Sequence, residues 1–375
     1  MRILHLVSYS LYSGPLPSTL RLACAQRESG HDVWLAHDTK RGAFNAFEES
    51  ADPHVEAAAI APPKKMTLSA KSSPMALWRD VRTLKKLLKQ DVDVLHVHLS
   101  HDHSLASFAG RSGFSGVRIR TIHADRSLKK RLGQKKLNQQ ADGWIVRSQD
   151  HLQRLQAQIG VARESIALIP GSIDTELFQP ATDKARMQAR KKFKIPSGAQ
   201  VIGHTALMAG RGQEELIEAA EILKDPNVHL LFVGRGEDEE KVKAKAQVSP
   251  LSDRIHFTGY LQGDELLEGY AAMDAAFSAQ AGNDASVRAV LEAMSCGLPV
   301  VGVRAGAIGE VLSTDVGFGV ASRAPQAIAA GLQDFLNRDE KMGAKARKKM
   351  EEERSLKLEA QTTVSYYENR LSVKA

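Results

Sequence analysis

The sequence predicts an α/β protein made of two Rossmann-like halves, each a parallel sheet covered by helices. Three observations carry that expectation. Apolar runs of strand length alternate with amphipathic stretches of helix length along the chain, the pattern of repeated strand-helix-strand units. The pattern is interrupted at a charged, proline-bounded segment, Phe178 to Pro196, and then begins again. Finally, 375 residues, 43% hydrophobic and 25% charged, suffice for two domains with cores of their own.

The first unit is a strand from Arg2 to Val7, a loop from Ser8 to Pro17 and a helix from Ser18 to Glu28. Gly30 then precedes a second strand, His31 to Ala36. Further strands are expected at Val94 to His98, Val117 to Ile122 and Gly143 to Val146. After the interruption come a strand Val201 to Thr205, a helix Glu214 to Leu223, and strands at Val228 to Val233, Arg254 to Thr258, Ala275 to Ser278 and Val300 to Val303. The division that follows is an N-terminal domain over residues 1–180 and a C-terminal domain over 181–357, with a last helical stretch from Thr362 to Leu371. In open parallel sheets ligands bind beyond the C-terminal ends of the strands. Domain boundaries also favour small-molecule sites, so a ligand is expected in a cleft between the halves.

Charge is unevenly spread. Residues 1–180 hold 25 Lys+Arg against 17 Asp+Glu, and the remainder holds 26 against 27, so the excess behind the overall +7 belongs to the first half. Much of it lies in Lys64 to Lys89 and Arg118 to Lys136. Such clusters are commonly solvated faces. The alternative is docking on an anionic membrane surface, at about 1 kcal/mol per basic residue. Nucleic acid is not expected as a partner, because the basic segments lack interleaved aromatics and aromatics make up only 5% of the chain. No apolar run approaches the roughly 20 residues that span a bilayer, and MRILHLVSYS looks like a strand and not a signal peptide. Two lone cysteines, Cys24 and Cys296, argue for a reducing compartment. The expected location is the cytoplasm.

The most informative stretch is Ala281 to Val300, AGNDASVRAVLEAMSCGLPV: a polar loop, an amphipathic helix, then Gly-Leu-Pro into an apolar strand. At about 100° per residue Asp284 and Glu292 fall in one quadrant of a helix, roughly 12 Å apart along its axis. That separation suits two ends of one extended ligand. Asp284 is expected at or near the N-cap, where free amides and the helix dipole favour an anion such as a diphosphate.

Leu291, Glu292, Ala293, Met294, Ser295, Cys296, Gly297, Leu298, Pro299, Val300 and Val301, preceded by an acid eight residues before the glutamate, closely resemble the donor-site signature of family 4 glycosyltransferases. The first acid is Asp284 where that family usually has Glu. The resemblance extends along the chain: Gly30-His31-Asp32-Val33, IPGSIDTELF from Ile169 to Phe178, and AGAIGEV from Ala305 to Val311 are in family register. It implies the GT-B fold, two Rossmann-like domains whose parallel sheets face an interdomain cleft, with the final helix (about 358–375) packing back on the first domain. It also implies a retaining, metal-independent transfer of a hexose-type sugar from a nucleotide-diphosphate sugar to a glycan or glycolipid acceptor.

Carried over residue by residue, the resemblance implies that Glu292 binds the donor ribose and Asp284 the sugar hydroxyls. Arg211 and the helix N-terminus would hold the diphosphate, and His123 the reacting sugar or acceptor. Ala285, Ser286 and Arg288 join the donor-binding set, with Gly14, Gly234 and Glu310. The glycine loop of the family carries Gly-Gly, and here only Gly14 remains. The family supplies Arg and Lys five residues apart after the first strand of the second domain; here Arg211 holds the second position and Ala206 the first. Losing one such contact can cost on the order of a hundredfold in rate. Ala206 and the shorter Asp284 keep open a non-catalytic nucleotide-sugar-binding or scaffold protein of the same fold.

The run HVHLSHDH places His96, His98, His101 and His103 close together. A metal centre there is set aside, because alternating histidines on a strand are expected to split across its faces and no carboxylate or Cys pattern follows. His101, Asp102 and His103 are instead expected on the acceptor side. Asp91-Val92-Asp93 resembles a metal-binding motif of the other glycosyltransferase fold, but it precedes its strand and is discounted.

Overall fold

The computed structural model describes residues 1–9, 14–37, 73–110, 113–128, 140–280 and 287–374. Much of the basic sequence singled out above, Lys64, Lys65, Lys71 and residues 129–136, lies outside them. The chain divides into two compact units, Met1–Ser172 with Leu356–Ala375, and Ile173–Ser355.

The first unit is a six-stranded parallel sheet, β1 (Arg2–Val7), β2 (Asp32–His37), β3 (Val94–Val97), β4 (Val117–Ile122), β5 (Gly143–Val146) and β6 (Ile166–Leu168), in the order β2-β1-β3-β4-β5-β6. Its helices are α1 (Pro15–Glu28), α2 (Pro74–Leu87), α3 (Ser100–Ala109) and α4 (Gln149–Arg154), with the chain's last helix added to them. Period-two alternation sorts the strands. Ile3, Val7, Val94, Ile119 and Ile145 pack on α1, while Leu4, Leu6, Leu95 and Val97 pack on α2 and α3. Local chemistry starts the helices. Pro15 follows Gly14, whose φ of 59° is a conformation that L residues rarely adopt. Ser73 Oγ accepts the Ala76 N–H at the head of α2, and Pro74 follows it.

The second unit contains α5 (Asp183–Lys192), β7 (Gln200–Thr205), α6 (Gln213–Leu223), β8 (Val228–Val233), α7 (Glu239–Val248), β9 (Ile255–Gly259), α8 (Asp264–Ala271), β10 (Ala275–Ser278), α9 (Arg288–Ser295), β11 (Val300–Val303), α10 (Gly306–Val311), β12 (Gly317–Val320), α11 (Pro325–Leu336) and α12 (Met342–Glu353). Its sheet is also parallel, in the order β12-β11-β10-β7-β8-β9. All six residues of β8 are buried, as expected of a strand covered on both faces. α13 (Leu356–Lys374) then returns to the first unit.

The chain passes between units at Ser172/Ile173 and not at 180/181. The Ile173 N–H donates to Arg354 O, and Ile173 and Phe178 are core residues of the second unit. The charged segment Phe178 to Pro196 is not a linker either. Thr182 Oγ1 caps α5 by accepting the Ala185 N–H, and Arg186 and Arg190 from α5 both pair with the buried carboxylate of Asp274. α13 is stitched to the first sheet by Tyr366, whose hydroxyl accepts the Trp144 N–H at 3.0 Å and donates to Ser165 O at 2.7 Å. Arg147 and Glu359 form a buried ion pair in the same unit. Among the described residues no helix is long and apolar enough to cross a membrane.

Candidate functional site

In the second unit the sheet order changes direction between β7 and β10, the topological switch point where open α/β sheets hold ligands beyond the strand C-termini. Two side chains meet across that point. Arg211, in the loop after β7, donates from Nη1 to Gln280 Oε1, just after β10, at 2.9 Å. His204, at the end of β7, lies with its two ring nitrogens 3.0 Å from Phe277 O and 3.1 Å from Arg211 O, and its single N–H donates to one of these two carbonyls. Burial pushes this imidazole down to about 4, so it is neutral near pH 7.

Beside the switch point, Gly234 ends β8 with a φ of 138°. A Cβ there would lie 2.1 Å from Ala206 O, so the loops after β7 and β8 meet backbone to backbone, and only glycine permits it. Ala206 thus occupies a close backbone crossing as well as the position of the missing basic residue.

α9 begins at Arg288, with Val287 at the N-cap. Asp284, Ala285 and Ser286, the first of them expected at or near this cap, lie outside the described residues. Glu292 is buried, 4% exposed, on the amphipathic helix that packs Leu291 and Met294 into the core. Its carboxylate accepts Arg288 Nε at 2.7 Å and the Tyr270 hydroxyl at 2.7 Å. Burial and the neighbouring Glu292 charge hold Tyr270 well above the usual phenol range, so it remains a donor. Arg288 and Glu292, expected to act on different parts of a donor, are here a pair. Glu310, in the loop-proximal helix α10 that follows β11, is exposed.

In the first unit Gly14 sits at the head of α1, where a Cβ would lie 3.3 Å from the Tyr9 ring. His123 follows β4 and is buried. Of the three residues expected beside it on the acceptor side, two, Asp102 and His103, turn inward. Asp102, fully buried, accepts the Ser8 N–H at 3.0 Å and the Leu99 N–H at 2.9 Å, closing the first turn of α3. Burial raises its carboxyl to about 7 against those hydrogen bonds. His103 accepts Arg120 Nη1 at 2.8 Å and packs edge-on against Trp144. His101 is part-exposed on α3.

His96 and His98 do not split across strand faces, because residues two apart share a face. With His5 on the neighbouring strand they bring ligand-type nitrogens within 4.8 Å of one another. Both nitrogens of each ring are already in hydrogen bonds: His5 with Gln26 and His98, His98 with His5 and His123, His96 with Thr121 and Tyr367. A cation would have to displace these, so the geometry is that of a hydrogen-bonded file. Sequence reasoning missed Gln280, Tyr270, His5 and Gln26. Of these only His5 left a signal, its period-two place on β1.

Comparisons with known proteins agree with the fold. A family model described as "Glycosyl transferases group 1" matches residues 186–355, and one described as "Glycosyltransferase Family 4" matches residues 17–177. A GDP-mannose-dependent alpha-(1-6)-phosphatidylinositol dimannoside mannosyltransferase of Mycobacterium tuberculosis is 24% identical over 91% of this chain and 89% of its own length. A GDP-mannose-dependent monoacylated alpha-(1-6)-phosphatidylinositol monomannoside mannosyltransferase of Corynebacterium glutamicum is 27% identical over 58% of this chain, and the match spans 60% of that relative's length. A match to the sulfoquinovosyl transferase of Arabidopsis thaliana spans 34% of that protein. Among solved structures, a glycosyltransferase from Rickettsia africae superposes with a TM-score of 0.83 at 18% identity over 99% of both chains. Anabaena HepE in complex with UDP gives 0.80 at 18% identity over 98% of this chain and 100% of that one.

Proposed function

This chain belongs to the family 4 glycosyltransferases, with the GT-B fold, and on that premise we propose that it transfers a hexose-type sugar from a nucleotide-diphosphate sugar to a glycan or glycolipid acceptor. The second unit binds the donor and the first the acceptor. The observation that carries the reading is that Arg211 and Gln280 meet just past β7 and β10 at the switch point of the second sheet, and that Tyr270, which holds Glu292, also meets the Thr205 side chain at the end of β7. Two of the relatives are named as GDP-mannose-dependent mannosyltransferases of phosphatidylinositol mannosides, which supports a donor of this class.

In this reading Arg211 meets the diphosphate as charge develops on the leaving group, and Gln280 holds the guanidinium in place for it. Glu292 takes the ribose hydroxyls, kept in one orientation by Tyr270. Arg288 neutralises Glu292 when no ligand is bound and turns to the diphosphate when one is. Asp284 with Ala285 and Ser286 meets the sugar, and His123 the reacting sugar or the acceptor. The transfer retains the anomeric configuration and uses no metal, the departing phosphate oxygen taking the acceptor's proton.

Contact with an anionic membrane, on which a glycolipid acceptor would be carried, is assigned to α2. Met75 and Trp78, 80% and 62% exposed, share its outer face with Arg79, Arg82 and Lys86, and Lys89 follows. The Arg82 guanidinium lies 5.4 Å from the Trp78 ring centre. Apolar side chains ringed by basic ones suit the headgroup boundary.

A thermal-shift series with UDP-, GDP- and ADP-sugars, followed by transfer assays with the sugar that shifts, tests the reading. A raised melting temperature with one donor and turnover of it supports the enzyme. Ala206 favours one second reading, a donor-binding protein without turnover: a clear shift with neither hydrolysis nor transfer would establish it. No shift with any donor overturns both.

A further inference from the structure

We infer that a buried file of side chains, Gln26 to His5 to His98, fixes which nitrogen of His123 carries its proton, making His5 and His98 positioning residues for His123. This rests on the reading of His123 as a site residue.

The file is a product of topology. β1, β3 and β4 are neighbours in the sheet, and His5, His96 and Thr121 stand on one face of them. His98 and His123 continue that period just past the ends of β3 and β4. α1 and α13 cover the face and supply Gln26 and Tyr367. His5, His96, Gln26 and Tyr367 are fully buried and His98 nearly so.

Direction follows from one atom. Gln26 Oε1 lies 2.8 Å from His5 Nε2, and an amide oxygen only accepts, so His5 carries its proton on Nε2. A neutral imidazole has one N–H, which leaves His5 Nδ1 as an acceptor. It takes the Nε2–H of His98 at 3.0 Å. His98 Nδ1 is then the acceptor for the Nε2–H of His123, again at 3.0 Å. His123 thus carries its proton on Nε2, and its Nδ1 is an acceptor that cannot donate to a phosphate oxygen. Burial keeps the file neutral, pushing His5 down to about 4 and His98 well below the usual imidazole range.

The far end is held in turn. Gln26 Nε2 donates to the Tyr367 hydroxyl at 3.4 Å, and that hydroxyl donates to His96 Nδ1 at 2.6 Å. His96 Nε2–H then reaches Thr121 Oγ1 at 2.7 Å. Turning the amide over would move every proton in the file to the opposite nitrogen, so one side chain on α1, oriented from α13, decides the tautomer at His123.

Ring-nitrogen NMR of the full ¹⁵N-labelled chain at pH 8 tests this, with His123 assigned by its loss in His123→Ala. The expected result is a single neutral tautomer with the proton on Nε2. A proton on Nδ1, or a mixture of the two forms, overturns the inference. Gln26→Leu and Tyr367→Phe are expected to give a mixture at His123 and to lower kcat about tenfold, with KM for the donor unchanged. A folded Gln26→Leu variant that keeps the single Nε2–H form also overturns it. The spectra need no substrate. Normal transfer by His123→Ala would therefore fail the site reading, with the tautomer still decided by the spectra.

Discussion

The two units share an architecture and differ in the buried polar groups at the centre of each sheet. Beneath the switch point of the first sheet lie neutral imidazoles, hydrogen-bonded in series and closed by an amide and a phenol. In the second unit the carboxylates of Asp274 and Glu292 are paired, with Arg186 and Arg190 and with Arg288, a contact the first unit makes between Arg147 and Glu359 of α13. A neutral file transmits orientation, while a buried ion pair fails when one partner is removed, because the other charge is left unpaired.

The largest effect expected is therefore at Asp274. Asp274→Ala strands Arg190, whose side chain is 5% exposed, and should destabilise the second unit by about 3–5 kcal/mol in denaturant titration. Loss below about 1 kcal/mol would mean that the pair is solvated and the contrast false.

Acid should act first on the other unit. Above pH 6.5 the buried histidines are neutral folded or unfolded. As pH falls below 6.5 the unfolded chain binds protons that the folded rings refuse, and stability drops until those rings protonate, at about pH 4 for His5. His5 alone accounts for on the order of 3 kcal/mol, with His96 and His98 acting in the same direction. Asp102, raised to about 7, works oppositely and gains stability as pH falls towards 3.8, one group against three. His204 on β7, also pushed down to about 4, acts on the second unit in the same direction, one ring against three, so hydrogen exchange between pH 7 and 4 should show β1, β3 and β4 losing protection before β7, β8 and β10.

Third in size is Arg211→Ala, expected to lower transfer by on the order of a hundredfold, about 2.7 kcal/mol, with the melting temperature little changed. Smallest is Tyr270→Phe, which removes one donor from Glu292. It should weaken donor binding or stability by about 1–2 kcal/mol, read as a shifted donor titration.

Most of this fold was legible because strands covered on both faces announce themselves as apolar runs. β6 and β12 were not. Ile166–Leu168 is three residues long, and Gly317–Val320 holds two glycines; each becomes a strand only by pairing with β5 or β11. The sequence of α5 reads as a linker because six of its ten residues are charged. What seats it is Asp274, far along the chain, which no local pattern reveals. The site divides in the same way. Glu292 and Arg211 could be named from motif and register. Their partners Tyr270 and Gln280 could not, since those pairings exist only once β7, β10 and α9 are assembled. At Asp102 and His103, a polar run beside a strand end pointed to a ligand, and burial gave both residues to internal bonds.

The return of α13 sets a timetable for synthesis. The first sheet leaves the ribosome early, yet Tyr366, Tyr367 and Glu359, which close its face, are translated only after Ile173–Ser355. At roughly 5–20 residues per second that interval is on the order of ten to forty seconds. During it the nascent first unit has one sheet face covered by α1 without α13, while the unit made later can already finish folding. The half that starts first is completed last.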